Sequence, residues 1–153
     1  MIRLWHYTTE ERLESIIQSE QINTTTNNVT HKKEQATSWV SSNPFWENTA
    51  TKLLTDGSGY FEKMTREEQL ERFGLARIEV NPKFGFYPWK TYRKLAKVEK
   101  KLADGMELSG IQNGAKIREW FCSFKPIPID YWIRAEIFKD GEWVEYDVFE
   151  IID

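Results

Sequence analysis

Two histidines, His6 and His31, and one cysteine, Cys122, are the only imidazole and thiol groups in the chain. Zinc sites are built from pairs such as C-x-x-C or H-x-x-x-H, which bring two ligands to one side of a turn or helix. Neither pair occurs, so no metal site is expected. A hydrolytic serine would sit on a sharp G-x-S-x-G turn, which is missing, and Cys122 in Phe-Cys-Ser-Phe has the pattern of a buried strand residue. Gly57-Ser58-Gly59 fits neither the Walker loop nor G-x-G-x-x-G, and the glycines read as turn residues. Charge is more informative: Lys83 to Lys101 carries seven basic residues against Glu99 alone, interleaved with Phe84, Phe86, Tyr87, Trp89 and Tyr92. Cations beside stacking rings are how single-stranded nucleic acid is held. The same pattern describes a solvated lysine face over an apolar stripe packed on a sheet, and that plainer description is preferred. Arg134 to Asp153 has the opposite balance, two basic to seven acidic residues, and reads as a solvated hairpin.

The elements that position these groups follow from periodicity and turn chemistry. A first strand is predicted at Arg3–Trp5, and Thr8-Thr9-Glu10-Glu11 fits a capping box that opens a helix whose Leu13, Ile16 and Ile17 share one stripe. The polar run Asn23 to Lys33 reads as a loop. Ser38–Ser42 has the β-branched and aromatic character of a second strand, and Asn43-Pro44 predicts a short helix to Leu54. A helix over Thr65 to Phe73, an alternating strand over Leu75–Val80 and a basic amphipathic helix from Trp89 to about Ala103 come next. Three strands are expected at Glu119–Phe124, Asp130–Phe138 and Glu142–Phe149, the last two joined by an Asp140-Gly141 hairpin turn. Strands and helices are mixed without regular βαβ alternation, which predicts an α+β fold.

Composition sets the frame for these elements. The 153 residues suit one domain, and 40% hydrophobic with 29% charged residues excludes a disordered tail. A single cysteine allows no intramolecular disulfide, the N-terminus lacks the features of a secretory signal, and no apolar run is long enough to span a bilayer. A cytoplasmic location without membrane partners is therefore expected. The net charge of −3 leaves phosphate affinity to a local patch. Seven Trp, six Tyr and nine Phe suit either a core or a stacking site.

Leu4-Trp5-His6-Tyr7-Thr8, followed by a helix with Leu13, Ile16 and Ile17, resembles the opening of ADP-ribosyltransferase-fold proteins. Two further blocks follow in the family's order. Ser38 to Glu47 is similar to its second strand running into a helix, and Arg118-Glu119-Trp120-Phe121-Cys122-Ser123 with Ile127-Pro128-Ile129 is similar to its catalytic-glutamate strand. Tyr131-Trp132-Ile133 to Ile137 matches the apolar strand after it. The resemblance covers residues 4 to 137, each motif being short and their order carrying the weight.

The resemblance implies two small antiparallel sheets around a cleft that holds NAD as substrate, and a glycosyltransferase-class activity that moves ADP-ribose to a protein or nucleic-acid acceptor. Breaking the nicotinamide–ribose bond builds positive charge on the ribose, which a carboxylate stabilises. Glu119 takes that role, and His6 hydrogen-bonds a ribose, with Tyr7 and Thr8 lining the pocket. Ser41 or Ser42, and one of Trp39, Phe45 and Trp46, contact nicotinamide. Alternation allows only one of the two serines to point inward. Arg3 with Ser41-Ser42 loosely resembles the arginine-type branch, but Ile117 stands where its Glu-x-Glu motif needs an acid, so the histidine-type arrangement is preferred. Removal of a 2′-phosphate from RNA, and a catalytically inactive binding domain using residues 83–101, are the alternatives.

Overall fold

The computed structural model describes residues 1–25, 35–55 and 61–148. In chain order these form β1 (Leu4–Thr8), α1 (Glu10–Ser19), β2 (Gln21–Ile22), β3 (Ser38–Ser41), β4 (Leu53–Thr55), β5 (Phe61–Lys63), α2 (Arg66–Phe73) and β6 (Ala76–Val80). They continue as β7 (Tyr87–Pro88), α3 (Trp89–Leu95), α4 (Lys100–Gln112), β8 (Trp120–Ser123), β9 (Ile127–Pro128), β10 (Trp132–Lys139) and β11 (Glu142–Tyr146). The architecture is α+β: an antiparallel seven-stranded sheet in the order β11-β10-β6-β1-β3-β8-β7, with the ribbons β2-β9 and β4-β5 beside it. Among the described residues no helix is long and apolar enough to cross a membrane.

The strands expected in two small sheets thus lie in one order, but the order has a seam. β1 pairs with β6 over five residues, from Leu4↔Val80 to Thr8↔Ala76. With β3 it shares only the pair Trp5↔Ser41. On the far side β3 pairs with β8 over four residues, Ser38↔Ser123 to Ser41↔Trp120. Four strands on one side and three on the other therefore part company just past Trp5, and His6 and Thr8 lie where the ladder has stopped.

Alternation along β1 divides the core. Leu4 faces α1, where Leu13 and Ile17 pack with Ala76, Ile78 and Val80 of β6. Trp5 and Tyr7 face the other way, into a cluster with Trp46 and Leu75. A third cluster joins Trp89 and Tyr92 of α3 to Trp120 and Cys122 of β8, with Trp39 packed against it. Burial pushes the Cys122 thiol up to about 12, as suits an inert strand residue. Asp140 and Gly141 both adopt left-handed backbone, with φ of 53° and 81°, as an Asp-Gly hairpin turn between β10 and β11 requires.

Several boundaries differ from expectation. β1 runs to Thr8 because Thr8 pairs with Ala76, so Thr9 becomes the N-cap of α1 and its hydroxyl accepts from Arg12 N. That cap has no capping box, since Arg12 stands where the box needs an acid. The helix expected from Pro44 to Leu54 is a 3-10 turn, Asn48–Ala50, followed by β4. Asn43 accepts from Phe45 N at 2.9 Å, but no helix follows it; Glu47 instead caps the 3-10 turn, its carboxylate accepting from Thr49 N at 3.1 Å. The single basic helix is two helices, broken where Lys97 adopts φ of 57°. Glu119 closes a 3-10 turn, Ile117–Glu119, rather than opening β8. Residues 26–33 of the Asn23–Lys33 loop, the Gly57-Ser58-Gly59 break and residue 149 at the end of the last expected strand lie outside the described residues.

Candidate functional site

Where β1 and β3 separate, a cavity of about 1230 Å³ opens, bounded by α1, β3, the segment 47–52 and α4. His6 lines it. The Nδ1 of His6 lies 2.8 Å from the Trp39 carbonyl oxygen, at the point where the β1-β3 ladder would have continued. A carbonyl only accepts, so Nδ1 carries the hydrogen and Nε2 of the neutral ring is an acceptor. Burial holds the His6 pKa below its ordinary value; the bond to Trp39 opposes this, and the positive charges of Lys52 and Arg12 add to the depression.

That depression has a measurable consequence. An unfolded chain returns His6 to its ordinary value of 6.5, so below that pH the unfolded state takes up a proton that the folded state resists. The stability is complete above 6.5 and is lost as pH falls towards the folded value, by at most about 1.4 kcal/mol per pH unit. Urea midpoints at about pH 7.5 and about pH 5.5 should therefore fall further for the native protein than for His6→Gln, whose amide never charges. Equal losses in the two proteins would show that His6 is not held neutral.

Ser41 and Glu47 form the opposite wall. Ser41 is 2% exposed and donates to Glu47 Oε1 at 2.9 Å, while accepting from Asn43 N at 3.1 Å. Glu47, 7% exposed, accepts through Oε2 from Thr49 N at 3.1 Å, Thr49 Oγ1 at 2.7 Å and Trp120 Nε1 at 3.2 Å. Four donors from three elements thus converge on one buried carboxylate, and a buried charge is held only by such a set. Trp5 also lines the cavity; it is 2% exposed, and its indole N–H finds no acceptor among the described residues.

The expected site residues divide sharply. His6, Thr8, Trp39 and Ser41 line the cavity. Tyr7 borders it, but its side chain is engaged elsewhere. Its hydroxyl donates to the Asn43 carbonyl, its ring meets Trp46 edge-on at 5.1 Å, and burial raises its pKa to about 12. Trp46 is a core residue whose indole N–H donates to Thr51 Oγ1 at 3.0 Å, and Phe45 is 75% exposed. Neither lines the cavity. Ser42 lies past the end of β3 and is not a lining residue; its N–H donates to the Glu119 carbonyl oxygen at 2.9 Å. Glu119 is half-buried outside the lining, its Oε1 accepting from Asn43 Nδ2 at 3.3 Å. The carboxylate that does line the cavity is Glu47, which carried no role in the sequence reading although it closes the Ser38 to Glu47 block.

Arg12, Lys52 and Lys63 in the lining were not anticipated either. Nothing local marks them, because each comes from a different element. The basic run 83–101 contributes Trp89 and Lys101 to the lining; Trp89 and Tyr92 are buried, and Arg93 pairs with Asp104 and Glu107 at 2.8 and 2.9 Å. Its two buried rings are thus unavailable as a stacking platform. Among the described residues no group of three or more His, Cys, Asp or Glu could hold a metal ion. No protein-family model, curated protein or solved structure matches this chain.

Proposed function

We propose that the protein is an NAD-dependent ADP-ribosyltransferase of the histidine type, with the cavity at the β1-β3 seam as its NAD site. The observation that carries this reading is His6: its Nδ1–H is engaged by Trp39, so Nε2 is an acceptor matched to a ribose hydroxyl. Trp39, on the neighbouring strand, supplies the aromatic residue expected for nicotinamide, while the Ser41 hydroxyl is held by Glu47 and Asn43 and shapes the wall. The volume exceeds that of most small-ligand pockets and suits a dinucleotide.

The two carboxylates take different parts. Glu47 already accepts four hydrogen bonds, leaving little capacity to meet a developing oxocarbenium, and it builds the wall. Glu119 has one long side-chain bond, from Asn43, and keeps its acceptor capacity. It therefore stays as the proposed catalytic carboxylate, acting once substrate reaches it from the cavity. The acceptor is a protein or nucleic acid.

The test is transfer of label from NAD to macromolecules in a lysate. Glu119→Gln should lower labelling by about 100-fold or more while leaving the fold unchanged, since it removes a charge aimed at the transition state. His6→Ala should weaken NAD binding by about tenfold, the worth of one hydrogen bond in a cavity. Labelling that survives Glu119→Gln at native rate, or NAD affinity indifferent to His6→Ala, would sink the reading.

A further inference from the structure

We propose that Arg12 and Lys52, which line the same cavity as His6, form a binding site for the diphosphate group of a ligand. Four cationic residues line the cavity, Arg12, Lys52, Lys63 and Lys101, against one carboxylate, Glu47. The chain as a whole is net negative, so this is a local reversal of sign. The surplus is also uncompensated. The ion pairs among the described residues join Arg3, Arg77, Arg93, Lys100 and Arg134 to carboxylates, and none uses a cavity cation. Glu47 offers little relief, being taken up by Ser41, Thr49 and Trp120. Lys63 is occupied in part, donating to the Asn48 carbonyl at 3.1 Å, and Lys101 is exposed on α4. Arg12, exposed on α1, and the half-buried Lys52 are left without a carboxylate partner among the described residues.

The fold holds both in place. Arg12 lies in the first turn of α1, its N–H accepted by Thr9 Oγ1 at 3.2 Å. The Lys52 N–H is accepted at 2.6 Å by Oε1 of the fully buried Gln69, and its carbonyl accepts from Met64 N at 3.2 Å. Burial lowers the pKa of Lys52 first, and the Arg12 charge lowers it further. Like charges kept together without a carboxylate are stabilised by a bound anion. The two types suit adjacent phosphoryl groups, because the guanidinium fork grips one bidentately and the ammonium meets the next as a point charge. Both charges also act on His6, so the diphosphate would sit beside whatever His6 holds. The site lies in the cavity proposed for NAD, which itself carries a diphosphate, and so deepens that reading.

Inorganic pyrophosphate is the probe, titrated calorimetrically and by following the His6 ring protons by NMR. Binding is expected, together with a rise in the His6 pKa, because an anion beside the ring offsets the charges that depress it. Arg12→Gln and Lys52→Met should each weaken pyrophosphate binding by about tenfold or more, whereas Lys100→Met, whose partner Asp104 lies outside the cavity, should not. Urea unfolding of both variants checks that each keeps its fold. Titrations with ADP and NAD separate this proposal from the transferase reading. Pyrophosphate and ADP binding without NAD binding supports the diphosphate site and removes NAD as the ligand. NAD binding unaffected by either substitution, with no pyrophosphate binding at millimolar concentration, overturns the diphosphate site and leaves the NAD reading standing. Pyrophosphate binding that moves neither the His6 pKa nor with the two substitutions also overturns it.

Discussion

Replacing Glu47 with alanine should lower the free energy of unfolding by about 3–5 kcal/mol, the cost of breaking a buried charged network by removing one partner. The reason is convergence. The carboxylate accepts from Ser41 on β3, from the backbone and hydroxyl of Thr49, and from the Trp120 indole on β8. Alanine leaves the Ser41 hydroxyl and the Trp120 indole N–H buried without an acceptor. Glu47→Gln is the sharper variant, because it keeps the volume but turns one end of the group into a donor facing donors, and a loss of about 2–3 kcal/mol is expected. Glu119→Ala should cost at most about 1 kcal/mol, since it removes one long side-chain bond at a half-buried position. Urea denaturation of the three variants measures this. Equal effects at Glu47 and Glu119 would contradict the division of labour between a structural carboxylate and a chemical one.

The second large effect is expected at Gly110, on the same wall. A Cβ built there would lie 2.5 Å from both Cη2 and Cζ2 of Trp120, well inside contact distance. The ring cannot swing away freely, because its Nε1 donates to Glu47 and its face meets Trp89 edge-on at 5.1 Å. Gly110→Ala gains about 1 kcal/mol of helix propensity, which makes the sign of the outcome a test. Overpacking of a tied core ring costs about 1–3 kcal/mol, and Gly110→Val, larger and β-branched, exceeds that. Both variants should be less stable than the native protein, with valine the worse. Stabilisation by alanine would mean that α4 moves away from β8 without cost.

Much of the fold was legible because its signals are local. The Asp140-Gly141 turn, the strand at 76–80 and the apolar stripe of α1 each depend on a few neighbouring residues and on packing that the alternation itself encodes. The departures share a cause. Thr8 and Thr9 are both competent caps, and the pairing of Thr8 with Ala76, distant in sequence, decides between them. Asn43-Pro44 is a sound helix start, but Glu47 finds Trp120 across the fold and the helix is not continued. Residues Trp89 to Ala103 have helical periodicity throughout, and a single left-handed residue, Lys97, divides them into two helices that pack separately.

The candidate site follows the same rule. Sequence by itself determined the mixed α+β character, the placement of Ser41 on the second strand, and the lack of any motif for a metal or a hydrolytic nucleophile, whereas it ended the first strand at Trp5, one residue short of His6. Tertiary structure decided that β1 and β3 share one pair and then part, which makes the strand residue His6 part of a cavity lining. It also decided that Glu47 rather than Glu119 lines that cavity, that Phe45 and Trp46 do not, and that Arg12 and Lys52 line it together with the imidazole. These groups lie on separate elements, and their charges and hydrogen bonds act only once the chain between them is folded; no local pattern records a distance of that kind.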